Sequence, residues 1–584
     1  MDKSHKFSNK EIVRILKEVL SAMEVKGFNI FETRAYQNAV SAIDNLTTTV
    51  YDLWEEKRLR EIPGVGATLE SHLDELFKTG KVEKFYSVKK GLPEGMFGLI
   101  GVRGIGAKKA LKLAMAFKLT DRSNAMEKVK QAAENGQIRN LESFGEKSEK
   151  DILNAITEAK LTKNAKKRLL LYQAEEISER LISYIKKLDV VLQAESLGSL
   201  RRRNATVGDI DIAISTNNSE KVIEHFMKYT EIDEVLSKGD KKVSVVLKND
   251  IQVDLRTSDP GAFGSMMQYF TGSKQHNIIL RTYSLEKGKS LSEYGITYRN
   301  KLHKFSTEED FYKFLNMQYI PPELRHGKNE VELALKNKTP ELVNINDIKG
   351  DFHTHTTDSD GVDTLEEMVK TAHSLGYKYY GISDHAPSVQ SRGYKAVEKI
   401  IFEKKEKIKK LNEKYKDMKL FFGYEVNILA DTTLALPDGL LKELDYVVAS
   451  IHTSFDQDRE IITKRIINSI ENPYVTIIGH PTGRLINERE ASDTDWTKVF
   501  RAAQSNDKIF EINSQLNRLD LTDDLVKEAL EYGIKLIVNT DAHATDQLYY
   551  LKYGIDVARR GGCTKADIIN SLDLEDFVRI IKSK

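Results

Sequence analysis

The 584-residue sequence contains only one cysteine, Cys563. A single thiol cannot close a disulfide within the chain, so the sequence excludes a disulfide framework and favours a reducing compartment. The sequence also lacks any run that approaches the roughly 18 apolar residues of a membrane-spanning helix. Its first residues, MDKSHK, lead into an amphipathic rather than an apolar segment, so we expect no signal peptide. These absences predict a cytoplasmic protein without a membrane partner.

The sequence has almost no excess charge of either sign, with 89 Lys and Arg residues against 88 Asp and Glu residues and a formal net charge of +1. This balance neither favours nor excludes nucleic acid as a partner, because a basic half of a chain can be offset by an acidic half. A chain of 584 residues is too long for one hydrophobic core, and we expect roughly three to five domains.

One stretch, residues 198–215, combines a turn, positive charge and alternating polarity. A Gly-Ser pair opens it, three arginines follow, and the sequence GDIDIAIS then alternates polar and apolar residues. A strand has a side-chain period of two, so Asp209 and Asp211 are expected on one face and the isoleucines on the other. Paired carboxylates favour a hard divalent cation, Mg²⁺ or Mn²⁺, and the basic turn suits a phosphate chain. The stretch predicts metal-assisted phosphoryl transfer from a nucleotide.

A third carboxylate separates this hypothesis from the alternative of an exposed Asp pair on an edge strand. A strand is predicted at Ile251–Leu255, and its apolar residues alternate with Asp254. Asp254 should therefore point away from the core, as Asp209 and Asp211 do. Three carboxylates on neighbouring strands can hold two metal ions at the attacking and leaving oxygens of a displacement.

Two glycine hairpins precede predicted helices near the start of the chain. They are the sequences IPGVG, with Gly64 and Gly66, and VRGIGAKK, with Gly104 and Gly106. Glycines allow close backbone approach, and a helix N-terminus offers N–H groups to a phosphate. One such turn alone is a weak signal, but two copies favour sequence-independent binding of the DNA backbone.

A glycine-containing turn flanked by aromatic residues lies at residues 269–281. Tyr269, Phe270, Gly272, Asn277 and Arg281 provide rings, an open backbone, an amide and a guanidinium group. This combination suits a nucleotide sugar and base. The alternative is an ordinary helix cap.

Together these motifs, with GSLRR at 198–202, GDID at 208–211 and SEYG at 292–295, resemble those of the family X DNA polymerases over about the first 325 residues. The resemblance implies that Asp209, Asp211 and Asp254 bind the catalytic Mg²⁺ or Mn²⁺, with Asp254 acting as or orienting the base for the primer 3′-hydroxyl. It implies gapped or primed DNA and deoxynucleoside triphosphates as partners. The residues that it assigns to the nucleotide and the nascent base pair are Ser199, Arg202, Gly208, Tyr269, Phe270, Gly272, Asn277 and Arg281.

After residue 347, predicted strands alternate with helices, which favours a parallel sheet closed as a barrel. Six of the seven histidines in this part lie at strand ends, and only His373 lies in a predicted helix. The strand ends of a βα barrel converge, so these side chains predict a multinuclear metal site. The predicted ligands are His353, His355, Asp360, His385, Glu425, His452, His480, Asp541 and His543.

This segment resembles a PHP (polymerase and histidinol phosphatase) domain. The resemblance implies three divalent metal ions, Mn²⁺ or Zn²⁺, with Glu425 bridging two of them, and phosphate contacts from Asn513, Arg518 and Arg484. The predicted fold is multidomain α+β and α/β, with helical helix–hairpin–helix domains, a nucleotidyltransferase palm with a thumb, and a distorted βα barrel. The expected segments are a DNA-binding (lyase-like) domain 1–85, fingers 86–150, palm 151–258, thumb 259–325, linker 326–347 and PHP domain 348–584.

The two motif sets resemble the bacterial family X polymerases. They predict a monomeric DNA repair enzyme that fills short gaps and carries a 3′–5′ exonuclease or phosphoesterase. One alternative is a phosphoesterase whose polymerase half only binds DNA. Another is a DNA-bridging scaffold without catalysis.

We expect weak or absent deoxyribose-phosphate lyase activity. Members of the family that have this activity use a lysine on the helix after the first hairpin, and the corresponding residue here is His72, which cannot form a Schiff base. Lys78 and Lys81 lie at other positions. Trapping with borohydride on abasic DNA measures the reaction, and a strong adduct mapped to residues 1–85 would contradict the expectation.

Overall fold

The computed structural model describes residue 7 and residues 9–44, 50–55, 59–100, 102, 105–122, 124–141, 144–153, 156 and 168–582. The chain forms two compact units, Met1–Lys167 and Arg168–Lys584. Within the described ranges, no helix is both long enough and apolar enough to cross a membrane.

The first unit is helical. The α-helices in its described residues are α1 (Asn9–Val25), α2 (Ile30–Asp44), α3 (Val50–Glu55), α4 (Ala67–Thr79), α5 (Glu83–Lys89), α6 (Glu94–Phe97), α7 (Ala107–Ala116) and α8 (Ala125–Glu134). Apolar residues at helical spacing explain α1, since Ile12, Leu16 and Val19 are all buried on one face. One apolar core lies beneath α1 to α5, and a second surrounds α7 and α8.

The first glycine hairpin adopts a conformation that requires glycine. Gly64 has φ +88°, and a Cβ at this position would lie 2.5 Å from the backbone nitrogen of Ala39. The turn ends at Gly66, the N-cap of α4. Gly106 has the same place before α7. Both hairpins therefore lead into a helix N-terminus.

The second unit begins with the elements β1 (Leu169–Leu170), α9 (Leu171–Ile185), β2 (Val191–Ser196), α10 (Gly198–Arg201), β3 (Thr206–Val207), β4 (Ile210–Thr216), α11 (Ser219–Phe226), β5 (Ile232–Lys238), β6 (Lys242–Leu247) and β7 (Gln252–Ser258). Five of these strands form a sheet of order β2-β4-β7-β6-β5, and β1 pairs with β3 in a separate two-stranded sheet. Strands β4 and β7 are parallel neighbours. Their isoleucine, valine and leucine side chains are buried, so their carboxylates lie on the opposite face.

A mixed segment follows this sheet. Its elements are α12 (Phe263–Thr271), α13 (Lys274–Glu286), β8 (Lys289–Ser292), β9 (Gly295–Tyr298), β10 (Lys301–His303), α14 (Glu308–Phe314) and α15 (Glu330–Leu335). Helix α15 lies inside the linker predicted at 326–347, and its Val331 and Ala334 belong to the apolar core of this segment. Val343 is buried in the main core of the unit. This stretch is therefore packed against its neighbours.

The remaining chain alternates strands and helices. The elements are α16 (Leu365–Ser374), β11 (Tyr379–Ile382), α17 (Val389–Arg392), α18 (Tyr394–Lys414), β12 (Lys419–Asn427), α19 (Asp438–Leu441), β13 (Tyr446–Ser450), α20 (Arg459–Glu471), β14 (Ile477–Ile478), α21 (Trp496–Ser505), β15 (Ile509–Asn513), α22 (Asp523–Glu531), β16 (Lys535–Asn539), α23 (Leu551–Gly561) and α24 (Leu574–Lys582). The six strands are parallel and neighbour one another in sequence order.

Residues 351–355 connect the first and last strands of this sheet. The backbone nitrogen of Gly381 donates to the carbonyl oxygen of Asp351 at 2.8 Å. On the other side, Thr354 forms a parallel bridge with Ala542. The sheet thus curls into a distorted barrel, which confirms the predicted fold class.

The C-terminal helix α24 packs against the aromatic side chains at one end of this barrel. Phe577 is completely buried there. Its ring centroid lies 4.5 Å from that of Phe352 and 4.4 Å from that of Tyr379. The last helix therefore completes the core of the barrel.

Replacing Phe577 with alanine should lower the free energy of unfolding by about 3–5 kcal/mol, because it removes a buried ring and leaves a cavity. Phe402, which is 47% exposed on α18, is the matched control, and Phe402→Ala should cost less than about 1 kcal/mol. Urea unfolding of both variants measures the difference. Equal stabilities would show that α24 does not support the barrel.

Candidate functional site

Three carboxylates meet on one face of the five-stranded sheet, where its inner strands β4 and β7 pair. The register of β4 and β7 sets Asp211 directly opposite Asp254. Asp209 is exposed and lies one residue before β4. Gly198 approaches from the preceding turn with φ +58°, and a Cβ there would lie 2.8 Å from Oδ2 of Asp211. Glycine therefore lets the turn come within contact distance of the carboxylates.

These carboxylates differ in charge environment. Burial, and then the charges of Asp209 and Asp254, raise the pKa of Asp211 to about 6. Burial also acts to raise the pKa of Asp254, but hydrogen bonds from Gln252, Lys242 and Ser244 outweigh it, so this pKa is lowered. Lys242 Nζ lies 3.0 Å from Oδ2 of Asp254. The cluster is thus short of positive charge at Asp211, and a divalent cation with oxygen ligands fits it.

The turn beside the carboxylates presents a guanidinium group without an acidic partner. Arg202 donates to the carbonyl oxygen of Thr271, and within the described part of the chain it forms no ion pair. Burial, followed by the charges of Arg560 and Arg325, lowers the pKa of Arg202 to about 10. Buried positive charges that repel one another favour an anion. A phosphate group suits this position.

Ser199 and Gly208 lie at the two ends of the same turn. The Ser199 carbonyl oxygen accepts from the backbone nitrogen of Asn204 at 3.0 Å. A Cβ on Gly208 would lie 3.0 Å from a guanidinium nitrogen of Arg168. The Ser199 carbonyl is therefore tied to the turn that carries Arg202, and Gly208 lies beside a second guanidinium group, that of Arg168.

The 269–281 segment lies on α12 and α13. Asn277 Nδ2 donates to the carbonyl oxygen of Tyr269 at 2.7 Å, so the amide braces the turn between these helices. The rings of Tyr269 and Phe270 meet edge to face at 5.0 Å, and Arg256 covers Phe270 at 4.1 Å. Arg281 is exposed on α13.

At this turn, Gly272 has φ +65°. A Cβ on Gly272 would lie 3.3 Å from a guanidinium nitrogen of Arg202. The turn between α12 and α13 therefore contacts Arg202, the arginine that is suited to bind a phosphate group.

The hairpin glycines lie in the first unit. Gly64, Gly66 and Gly106 open α4 and α7 as described above, whereas Gly104 lies outside the described residues. His72, on α4, lies 3.0 Å from the Tyr36 hydroxyl through Nδ1 and packs edge to face on Phe85. Burial lowers its pKa. The imidazole therefore belongs to a packed cluster.

Glu425 lies at the centre of the nine predicted ligands of the barrel, because the imidazoles of five of the other eight lie within 3.6 Å of its carboxylate. Its Oε1 lies 2.8 Å from His480 Nε2 and 3.0 Å from His452 Nε2. Its Oε2 lies 3.0 Å from His385 Nδ1 and 3.6 Å from His355 Nε2. One carboxylate thus contacts imidazoles from several strand ends and has the position of a bridging ligand.

Two further carboxylates complete the cluster. Asp541 Oδ1 lies 3.1 Å from His355 Nε2 and 3.4 Å from His353 Nε2. Asp360 Oδ2 lies 3.2 Å from His385 Nε2 and 3.3 Å from His543 Nε2. The described residues contain four groups that could hold an ion: His355, Asp360, His385 and His543; His353, His355 and Glu425; His353, His480 and Asp541; and His385, Glu425 and His452.

The cluster passes an independent test for metal binding. Nε2 of His353 and Nδ1 of His355 are buried, and the described residues give neither a hydrogen-bond partner. Both nitrogens face carboxylates at 3.4–3.5 Å. Burying polar atoms without partners is costly. Mixed imidazole and carboxylate ligands suit Mn²⁺ or Zn²⁺.

Charge compensation holds the acids of this cluster ionised. Burial would raise the pKa of Glu425, but the nearby His452, His353 and His385 keep it well below its usual range. Burial lowers the pKa of His452 to about 4. Burial would also lower the pKa of His353 and of His385, but the neighbouring carboxylates raise it well above its usual range, so metal binding at these two imidazoles would displace protons.

Sequence reasoning missed the residue that orients the first histidine. Glu511, on β15, is completely buried. Its Oε1 lies 2.7 Å from His353 Nδ1, and its Oε2 accepts from the backbone nitrogen of His480 at 2.7 Å. An acid that alternates with apolar residues on a strand, as in IFEIN, was the available signal. Such outer partners fix the orientation of ligand histidines.

The three residues that the PHP resemblance assigned to phosphate have different surroundings. Asn513 Nδ2 donates to Asp541 Oδ2 at 3.0 Å, and Arg484 donates to the carbonyl oxygens of Arg518 and Leu519. Arg518 Nη1 is buried and lacks a hydrogen-bond partner among the described residues. Arg518 is therefore the strongest candidate for a phosphate contact.

Family models match three parts of the chain: a helix-hairpin-helix domain at residues 7–82, a DNA polymerase beta thumb at residues 266–326 and a PHP domain at residues 351–515. The chain is 33% identical over 577 residues to the DNA polymerase/3′-5′ exonuclease PolX of Bacillus subtilis, covering 98% of this chain and 99% of that protein. It is 33% identical over 245 residues to a "Probable phosphatase" of Thermoanaerobacter sp. strain X514, covering 40% of this chain and 94% of that protein. A "Probable phosphatase" of Acetivibrio thermocellus is 26% identical over 256 residues.

Replacing Asp211 with asparagine should stabilise the metal-free protein at pH 8 by about 1–3 kcal/mol, because it removes a charge that burial and neighbouring acids disfavour. The folded pKa is raised to about 6. The penalty on folding is therefore fully present above pH 6 and is progressively lost as the pH falls below 6. The gain should shrink accordingly at pH 4.5.

Calorimetry of the EDTA-treated protein at both pH values measures this effect. Asp233→Asn, at an exposed carboxylate on β5, is the matched control and should change little at either pH. A gain for Asp211→Asn that is the same at both pH values would contradict the electrostatic explanation.

Proposed function

Since the chain belongs to the bacterial family X DNA polymerases that carry a C-terminal PHP domain, we propose that it both adds deoxynucleotides to DNA 3′ ends and removes them. Synthesis takes place at Asp209, Asp211 and Asp254. Removal takes place at the nine-ligand cluster of the barrel. The observation that supports two activities is that one chain contains two separate clusters of acidic residues: the carboxylates around Asp211, whose mutual repulsion a divalent cation would relieve, and the barrel cluster, with its four groups that could hold an ion.

The residues around Asp209, Asp211 and Asp254 bind and orient the reactants of synthesis. Arg202 and the backbone around Ser199 and Gly208 hold the triphosphate. The lowered pKa of Asp254, caused by its hydrogen bonds against the opposing effect of burial, supports a role as a ligand that orients the primer 3′-hydroxyl rather than as the final proton acceptor.

The segment around the turn of α12 and α13 holds the rest of the nucleotide. Tyr269 and Phe270 lie against the sugar, with Gly272 as the open backbone between them and Arg202. Asn277 and Arg281 contact the nascent base pair and the template. The hydrogen bond from Asn277 to the Tyr269 carbonyl supports a fixed geometry for this wall.

Divalent cations, when bound, would neutralise charge on phosphate and activate the attacking oxygen. Asp209, Asp211 and Asp254 would hold Mg²⁺ or Mn²⁺, and the barrel cluster would hold three Mn²⁺ or Zn²⁺. In the barrel, Glu425 bridges the ligand groups and Glu511 fixes the His353 ring. Arg518 holds the phosphate of the terminal nucleotide. The buried, unpartnered Nη1 of Arg518 supports this assignment.

We further propose that the protein fills short gaps in DNA repair as a cytoplasmic monomer, and that its helical hairpins at Gly64, Gly66, Gly104 and Gly106 bind the DNA backbone. The names of two partial relatives, both "Probable phosphatase", favour a second reaction at the barrel. That reaction is removal of phosphate from blocked 3′ ends.

Single and double substitutions on a gapped duplex test this function. Asp209→Ala should lower primer extension by about 10²–10³-fold and leave 3′-end removal intact, and His353→Ala should do the opposite. The double variant should lose both. Each single variant is the control for the other, because each retains the second centre.

The rival hypotheses predict different results. If the polymerase half only binds DNA, the wild-type protein will incorporate no nucleotide. If the protein is a DNA-bridging scaffold, the double variant will bridge DNA as the wild type does. Extension by Asp209→Ala at the wild-type rate would disprove the assignment of the polymerase site.

A further inference from the structure

Helix α23 of the PHP domain contacts the nucleotide-binding turn of the palm. Arg560, near the end of α23, donates through Nη1 to the carbonyl oxygen of Arg202 at 2.7 Å and to Oδ1 of Asn204 at 2.8 Å. Its Nη2 lies 2.5 Å from Asp523 Oδ2 on α22. The guanidinium group is thus fixed within its own domain and reaches into the other one.

The residue between these two contacts has an unfavourable backbone conformation. Arg203 has φ +56°, in the left-handed region that costs free energy for any residue with a Cβ. Such a conformation persists only where the surroundings impose it. Arg560 holds the residues on both sides of Arg203, because it donates to the backbone carbonyl of Arg202 and to the side chain of Asn204.

The side chain of Arg203 is held from the same helix. Its guanidinium lies 2.6 Å from Asp556 on α23 and 2.8 Å from Glu175 on α9. Lys552 and the Tyr553 hydroxyl, also on α23, contact Glu175 at 3.0 and 2.9 Å. The strained residue is therefore restrained from outside its turn by Asp556 on α23 and by Glu175 on α9, and α23 also contacts Glu175.

The turn transmits this restraint to the residues that face the triphosphate. The backbone nitrogen of Asn204 donates to the Ser199 carbonyl at 3.0 Å, and that of Arg202 donates to the Gly198 carbonyl at 3.2 Å. Gly198 in turn contacts Asp211. A shift at Asn204 would therefore move Ser199 and the Arg202 guanidinium together.

We propose that Arg560 of the PHP domain is a positioning residue for the polymerase reaction, holding the strained 202–204 turn in the conformation that binds the nucleotide triphosphate. This inference rests on the proposed polymerase function of Asp209, Asp211 and Asp254. It makes synthesis dependent on a helix of the domain that performs the opposite reaction.

A neighbouring arginine provides a matched control. Arg559 also links α23 to the rest of the unit, through Glu323 at 2.8 Å and the Val343 carbonyl at 3.0 Å. It does not contact the 202–204 turn. Arg559→Met therefore loosens the same helix without releasing the turn.

The test measures KM for the nucleotide and kcat for single-nucleotide gap filling in the full-length protein. Arg560→Met should raise KM about tenfold with a smaller change in kcat, because charge-assisted hydrogen bonds to a ground-state binding element are lost. Arg560→Lys, which keeps the charge and part of the hydrogen bonding, should lie between wild type and Arg560→Met. Arg559→Met should stay close to wild type.

Exonuclease activity of the same preparations shows that the barrel is folded, and it should be unchanged in all three variants. A double-mutant cycle with Asn204→Ala tests the contact itself. The double variant should be no worse than Arg560→Met alone, because both substitutions remove the same hydrogen bond.

An unchanged KM for Arg560→Met would overturn the inference. So would an equal rise in KM for Arg559→Met, which would indicate general loosening of the domains, or additive effects in the cycle. Wild-type protein in the same assay separates these outcomes from failure of the proposed function. If wild type incorporates nothing, the polymerase assignment itself is wrong.

Discussion

The mutual repulsion of carboxylates held close together is the constraint on which both clusters of this protein depend. On one face of the five-stranded sheet, the pairing of the inner strands β4 and β7 sets Asp211 against Asp254. Burial and the neighbouring charges raise the pKa of Asp211 to about 6. In the barrel, histidines surround Glu425 and keep its pKa low in spite of burial. The first cluster compensates the charge of Asp254 but leaves that of Asp211 unfavourable, whereas the second compensates the charge of Glu425 with imidazoles. Rigid strands are needed in both cases, because flexible chain would relax to separate the charges.

The second unit joins the two clusters through packed structure. Helix α23 follows the strand that precedes Asp541 and His543 of the barrel cluster, and its Arg560 contacts the 202–204 turn beside Asp211. The 326–347 stretch, which the sequence indicated as a polar connector, is folded against both parts. Synthesis and removal at 3′ ends are therefore proposed to take place on one continuous body rather than on two tethered ones.

Much of both sites could be predicted from sequence because their ligands follow the period of regular structure. The alternation in GDIDIAIS predicted that Asp209 and Asp211 share one face, and the strand ends predicted the nine side chains that cluster in the barrel and could hold metal ions. Glu511 was missed because an acid within an apolar strand gives no sign of which distant histidine it contacts. Arg560 was missed for a similar reason, since its partners Arg202 and Asn204 lie 358 and 356 residues away in the chain.

The sequence by itself determined which chemical groups are present and which face of a strand or end of a strand they occupy, because side-chain period and turn chemistry are local properties. Only the tertiary structure decided which carboxylates oppose each other, how their pKa values diverge and which helix holds the strained turn at Arg203. Those properties depend on distances between residues far apart in the chain, and local patterns carry no information about such distances.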